Sequence, residues 1–193
     1  LIDEEIIMKT PAKGAVNVPP AQDFVADAAV TTDLLQVLHH DHKTVQEMFF
    51  QFTQLEDDKA KKALVGEIIK ELTIHAKAEE EIVYPAVRDA ADEAEDLMDE
   101  ADTEHHVVKF LMAELRDMSP KDDHFDSKVT VLCELVKHHV AEEEKEMFEK
   151  IKNSGLDLEE LGKQVIDRKE VLAEKPLPEE KFPVTSSKRR QSK

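Results

Sequence analysis

Turn-forming residues are scarce. The chain has 193 residues with only 4 glycines and 8 prolines, too few to punctuate a many-stranded sheet. Cysteine occurs once, at Cys133, which excludes an internal disulfide framework and any metal site built from several thiolates of one chain. No apolar run approaches the roughly 18 residues that a membrane span requires, and no secretory hydrophobic segment stands out. Positive charge is also short. The 26 basic residues face 44 acidic ones, a net charge of −18, which repels phosphate backbones and anionic lipid and speaks against nucleic-acid or membrane-surface binding. The expectation is a cytoplasmic, mostly helical protein whose many charged residues solvate the outer helix faces.

Residues 1–30 read as a flexible tail, because Pro11, Gly14, Pro19 and Pro20 interrupt any periodicity. Residues 175–193 read as a second, basic tail that begins with Pro176, Pro178 and Pro183 and carries Lys188, Arg189, Arg190 and Lys193.

Between the tails, residues 31–152 show four helical patterns. The first starts near Thr31–Thr32–Asp33 and carries Leu38, His42, Val45, Phe49 and Phe52 on its inward stripe. The second starts near Asp58 with Val65, Ile68, Leu72, His75, Glu79, Ile82 and Ala86, and Pro85 must kink or loosen it. The third covers about 93–118, with Ala94, Met98, Ala101, His105, Val108, Met112 and Leu115, and stops at Ser119–Pro120. The fourth covers about 126–153, with Val129, Leu132, Val136, His139, Glu143 and Met147, and stops at Asn153 and Gly155. A short fifth helix follows within 153–174, capped by Asp157 and carrying Leu158, Leu161 and Val165; it is expected to cross one end of the bundle or to serve dimerisation. The fold class is therefore all-α, an up-down-up-down four-helix bundle with a short fifth helix and disordered tails.

The anomaly in these stripes is polar. Each inward stripe is apolar until a histidine replaces an aliphatic residue near its middle: His42, His75, His105 and His139. Glu79 and Glu143 follow two of them by one turn on the same face. Burying imidazoles and carboxylates without partners costs several kcal/mol on apolar-transfer scales, so four repeats of the pattern require a reason. One His-x3-Glu pair is weak, since composition alone yields about one by chance. The chain has three: His75/Glu79, His138/Glu142 and His139/Glu143. His138 and His139 compete for one place, and the inward register with an aromatic nine residues on favours His139.

An internal repeat strengthens the pattern. Asp41-His42 with Val45 is echoed by Glu104-His105 with Val108, and His75, Glu79 and Tyr84 are echoed by His139, Glu143 and Phe148. Two such hairpins, each giving His plus His-x3-Glu, suit two metals bridged by two carboxylates. Mixed imidazole and carboxylate donors suit iron, manganese or zinc. Four protein donors per ion satisfy zinc but leave iron with open positions for a small exogenous molecule.

These motifs, with Tyr84-Pro85 and Met147-Phe148 after the two glutamates, resemble the hemerythrin-like proteins with an HHE cation-binding domain over about residues 31–152. The resemblance implies two iron ions with an oxo or hydroxo bridge, His42 and His75 on one iron, His105 and His139 on the other, and Glu79 and Glu143 bridging both. It implies O2, peroxide or NO as the ligand of a monomer or weak homodimer. Oxygen-carrying relatives hold a fifth His one turn after the third-helix ligand, where this chain has Lys109. The leading expectation is a metal- and O2-binding protein whose centre takes O2 or a related small molecule; with that departure, a peroxidase- or catalase-like or NO-detoxifying enzyme, or an iron or oxygen sensor, is the alternative.

The remaining polar residues have plainer readings. His39, His40 and His106 are expected beside the ligands or on the surface, and His124 on the surface. Glu80, Glu81, Glu142 and Glu144 are expected as a solvated acidic face, and Phe49, Phe52, Tyr84, Met112, Phe148 and Cys133 as core.

Overall fold

Three aspartates begin helices by accepting a backbone N–H three residues on: Asp33 from Gln36 at 3.1 Å, Asp57 from Ala60 at 2.8 Å and Asp157 from Glu160 at 3.1 Å. The computed structural model describes residues 32–91 and 94–174; both expected tails, and Glu93 at the expected start of the third helix, lie outside the described residues. The elements are α1 (Leu34–Gln54), α2 (Asp58–Ala78), α3 (Tyr84–Ala90), α4 (Glu95–Asp117), α5 (Phe125–Glu142), α6 (Phe148–Asn153) and α7 (Leu158–Ala173). A π-helical turn joins α2 to α3 at Glu79–Val83, and another joins α5 to α6 at Glu143–Met147. Four rods result: α1, α2–α3, α4 and α5–α6. Each packs against the next and the last returns to α1, so among the described residues the fold is an all-α bundle with one added helix. No helix among these residues is long and apolar enough to cross a membrane.

The two π turns correct the register read from sequence. In each, a backbone N–H reaches back five residues, Tyr84 to Glu79 and Phe148 to Glu143, which inserts one extra residue into the rod. The expected inward Ile82 and Ala86 are consequently only half-buried, while Val83 and Val87 are buried. Pro85 lies just after the first turn, where its missing N–H is tolerated at a helix start. The second turn forms without a proline, so the shared cause lies in the repeat itself.

Apolar side chains form two clusters. One holds Val45, Phe49, Phe52, Val65, Ile68, Leu72, Val108, Met112, Leu115 and Val136. The other holds Leu34, Leu38, Val83, Tyr84, Met98, Met147, Phe148 and Val165. Each fully buried Leu or Ile contributes about 1.5–3 kcal/mol, so both ends of the bundle are held without help from the polar layer between them. Lys62 fastens the far end, donating to the carbonyls of Leu115, Arg116 and Met118 at 3.1, 2.9 and 2.6 Å, where α4 leaves acceptors open.

The fifth helix is where expectation and structure part. Rather than crossing an end, α7 lies on the flank of α1, α2 and the first π turn. Gly162 permits the approach: a Cβ there would stand 1.9 Å from the Thr32 carbonyl oxygen. Val165 and Leu172 are the apolar residues it buries, while the expected Leu158 and Leu161 are half-buried.

Candidate metal centre

Between the two apolar clusters the rods bring together His42, His75, Glu79, His105, His139 and Glu143, all buried. Their one-turn spacing on each rod puts them at one level. The two glutamates span the layer. Glu79 Oε1 is 3.2 Å from His75 Nε2 and its Oε2 is 3.5 Å from His105 Nε2. Glu143 Oε2 is 3.3 Å from His42 Nε2 and its Oε1 is 3.4 Å from His139 Nε2. Each carboxylate thus straddles both histidine pairs, His42 with His75 (ring centroids 4.9 Å apart) and His105 with His139 (4.6 Å). His138 is 61% exposed and points away, which resolves the choice between neighbours: His139 is the residue of this layer.

A second layer was not legible as such. All four histidines donate Nδ1–H to a carboxylate: His42 to Glu144 at 2.9 Å, His75 to Asp41 at 3.1 Å, His105 to Glu80 at 2.9 Å and His139 to Glu104 at 2.7 Å. Every carboxylate comes from a neighbouring rod, so the four bonds close a ring around the bundle. This corrects the reading of Glu80 and Glu144 as a solvated face; Glu81 and Glu142 do face outward, to Arg168 and His138. The signal was present in the repeat, where an acid precedes His42 and His105 and another follows Glu79 and Glu143. The π turns serve this layer, because a wider turn lets consecutive carboxylates, Glu79 and Glu80 or Glu143 and Glu144, both address histidines. Each outer carboxylate also meets a basic group: Lys169 on Asp41, Lys109 on Glu80 at 2.7 Å, His39 on Glu144 at 2.9 Å and His138 on Glu104 at 3.5 Å. Lys109 therefore points to Glu80, not into the histidine layer.

With Nδ1–H committed, each ring turns Nε2 inward, as metal-ligating histidines do, and His105 Nε2 and His139 Nε2 meet at 3.0 Å. His42 Nε2, His75 Nε2, both oxygens of Glu79 and Oε2 of Glu143 are buried without a hydrogen-bond partner. Leaving one such atom unsatisfied costs about 1–3 kcal/mol, and a cation is the partner this donor set fits. The donor atoms group as His42, His75, Glu79 and Glu143 and as Glu79, His105 and His139, with Glu79 common to both.

Without a metal, protons fill part of this role. Burial alone would lower the His75 and His139 imidazoles, but Glu79 and Asp41 raise His75 well above its usual range, and Glu143 and Glu104 raise His139 to about 9. Burial likewise opposes ionisation of Glu143, yet His139 and His42 hold its carboxyl well below the usual range. Asp41 and Glu80 sit at about 2, where bonds from His75 with Lys169, and from His105 with Lys109, overcome their burial.

Two aromatic side chains wall the layer. Phe148 stacks on His42 (6.2 Å, 19°). Tyr84 stacks on His105 (5.6 Å, 28°), donates its hydroxyl to Glu143 Oε1 at 2.9 Å and lies 3.4 Å from His105 Nε2. The expectation of plain core packing holds for Phe49, Phe52 and Met112 but falls short for Tyr84. On one side the layer borders a cavity of about 20 Å³ lined by the four histidines, Asp41 and the apolar Val45, Leu72, Ala76, Val108, Val136 and Val140. That is room for one molecule of about the size of water.

A sequence profile of the hemerythrin HHE cation binding domain matches residues 33–151. The chain belongs to this family. The hemerythrin-like bundle is also similar in fold to the crystal structure of a hemerythrin HHE cation binding domain-containing protein from Mycobacterium kansasii, with a TM-score of 0.64, 23% identity, and coverage of 72% of this chain and 86% of that one. It is 33% identical over 122 residues to a protein named DNA nickase from Nostoc sp. (strain PCC 7120 / SAG 25.82 / UTEX 2576), covering 63% of this chain. The hemerythrin-like chain spans 34% of the length of that relative.

Proposed function

We propose that the chain is a hemerythrin-like non-haem di-iron protein that binds O2, peroxide or NO beside a carboxylate-bridged pair of ions. The observation that carries this reading is the straddling of both histidine pairs by Glu79 and Glu143, with the orphaned atoms all on those two glutamates and on His42 and His75. His42 and His75 would hold one ion, His105 and His139 the other, and the two glutamates would serve both. Iron at such a centre supplies redox chemistry and open positions toward a small ligand. The chain's own contribution is to fix the donors through the outer carboxylates, to keep Nε2 free and to offer an apolar cavity with room for one small molecule. The setting is cytoplasmic, the state a monomer or weak homodimer.

Tyr84 favours the peroxide- or NO-consuming form over reversible O2 carriage. Its hydroxyl proton lies within reach of Glu143 and His105, and its ionisation is pushed well above the usual range, first by burial and then by Glu79 and Glu143. A protonated donor within reach of both Glu143 and His105 suits chemistry that consumes protons. The name of the Nostoc relative does not extend to this chain in our reading, because a net charge of −18 opposes approach to a phosphate backbone.

The test is anaerobic loading of the full chain with Fe2+, followed spectrally as O2 and then peroxide are added. Steady peroxide loss faster than with free iron at equal concentration supports the enzymatic form. A charge-transfer band that disappears on degassing supports carriage instead, and absence of bound iron removes the proposal.

A further inference from the structure

Of the three His-x3-Glu pairs in the chain, His138 and Glu142 contribute nothing to the buried layer. They lie one turn apart on α5, and α4 brings Glu104 up to them. The three offer one imidazole nitrogen and two carboxylate oxygens, all within 4.8 Å of one another. His138 Nε2 stands 3.3 Å from Glu142 Oε1 and 3.5 Å from Glu104 Oε1. One ring nitrogen carries at most one proton and cannot satisfy both oxygens, and both distances exceed the usual N–H···O range. They match a different geometry. Around a tetrahedral ion with bonds of about 2.0–2.1 Å, neighbouring donors stand about 3.3–3.4 Å apart. Glu104 is already fixed for that use, because its Oε2 accepts Nδ1–H of His139 at 2.7 Å and leaves Oε1 to His138. Among the described residues, Glu104 and Glu142 form ion pairs with histidines only, whereas Asp41, Glu80 and Glu81 are bonded to Lys169, Lys109 and Arg168. The charge of Lys145 also reaches Glu142, but its ammonium bonds to Glu146 at 3.0 Å. The trio is a departure from the hairpin repeat: the places of His138 and Glu142 are taken in the first hairpin by Ile74 and Ala78, both buried.

We propose that Glu104, His138 and Glu142 form a surface site for a divalent first-row cation such as Zn2+, separate from the buried layer, with water as the fourth ligand. One imidazole and two carboxylates are a mixed donor set that such ions accept, and the imidazole sets the trio apart from an ordinary acidic patch. His138 is 61% exposed, Glu142 33% and Glu104 22%, so the ion stays open to solvent and exchanges with it. An ion held there stands one carboxylate away from His139, since Glu104 faces both. None of the six residues of the buried layer is a donor to this site, so the inference does not depend on the two-ion reading above.

The experiment is a titration of the metal-free full chain with Zn2+, reading bound zinc per chain after ultrafiltration and the side-chain 15N signals of the histidines by magnetic resonance. At the free zinc concentration that just saturates the wild type, His138→Gln and Glu142→Gln each hold one ion fewer, a weakening of that ion by at least about tenfold. The wild-type His138 signal, identified by its loss in His138→Gln, moves on zinc addition. His40→Gln, which removes another exposed histidine, leaves the zinc count unchanged. Far-ultraviolet circular dichroism checks each variant for helix, and Glu142→Gln alone carries the comparison should His138→Gln lose it. Equal zinc content in wild type, His138→Gln and Glu142→Gln overturns the inference, as does an equal loss in His40→Gln or a His138 signal that zinc does not move. A wild-type chain that takes up a single zinc and loses it in His138→Gln keeps the surface site and overturns the two-ion reading. Two ions held alike by the wild type and both variants keep that reading and overturn the surface site.

Discussion

The first hairpin (α1 with α2–α3) and the second (α4 with α5–α6) share one plan. Each gives a histidine preceded by an acid, a His-x3-Glu motif followed by another acid, a π turn starting at the glutamate, and an aromatic residue just after that turn. They differ in what touches the outside of that plan. The aromatic of the first hairpin is Tyr84, whose hydroxyl reaches Glu143; that of the second is Phe148, which offers only a ring face to His42. The first hairpin also carries α7 on its flank, while the equivalent outer carboxylate of the second meets an exposed histidine. The repeat therefore builds the same buried layer of histidines and glutamates from both hairpins, and the departures from it lie around that layer: a phenol beside His105, and α7 on the flank of the first hairpin.

The comparison breaks most severely at the residues that both halves share. Glu79→Ala removes a donor common to both histidine pairs and is expected to abolish uptake of both ions, whereas His75→Ala or His139→Ala removes one each. Metal content by plasma mass spectrometry separates these outcomes. Removing the cover from the first hairpin comes next. Gly162→Val places side-chain atoms against the Thr32 carbonyl, with an expected loss of about 1–3 kcal/mol in denaturant unfolding. Tyr84→Phe makes the hairpins alike at their aromatic positions. It removes a hydrogen bond to a charged acceptor, with an expected cost of about 1.5–3 kcal/mol, and slows peroxide or NO consumption in stopped-flow traces while metal content stays unchanged.

The smallest effect is in pH. In the metal-free chain the raised His75 and His139 bind protons that the unfolded chain releases near pH 6.5, so their contribution is complete below that value; that of His139 is lost as pH rises through about 9, and that of His75 as pH rises through its own raised folded value. The depressed Asp41 and Glu80 contribute above their unfolded values near 4 and lose that contribution as pH falls toward about 2. Urea midpoints of the metal-free chain are thus expected to peak between about pH 4.5 and 6.5. Metal uptake displaces the histidine protons, so metal affinity rises with pH over the window in which metal-free stability falls.

Much of this was legible in the sequence. The alternating three- and four-residue steps picked out all six residues that the rods gather in the buried layer, because one-face periodicity is a property of a single helix. The outer carboxylates escaped that reading, because Glu80 reaches His105 and Glu144 reaches His42 only across to a neighbouring rod. Which rods are neighbours is a tertiary fact. The shift from Ile82 and Ala86 to Val83 and Val87 was hidden by the π turn, since a 3.6-residue period carries no allowance for an inserted residue. Lys109 was visible as a departure from oxygen carriers, but its bond to Glu80 was not. The docking of α7 turned on Gly162, whose role depends on a backbone carbonyl 130 positions earlier in the chain.

Counting iron in the reconstituted full chain, by metal analysis together with its Mössbauer spectrum, tests the two-ion centre most directly. The proposed two-ion centre predicts two iron ions per chain, magnetically coupled through shared ligands. One iron per chain, or two that behave as isolated ions, would contradict the straddling role assigned to Glu79 and Glu143.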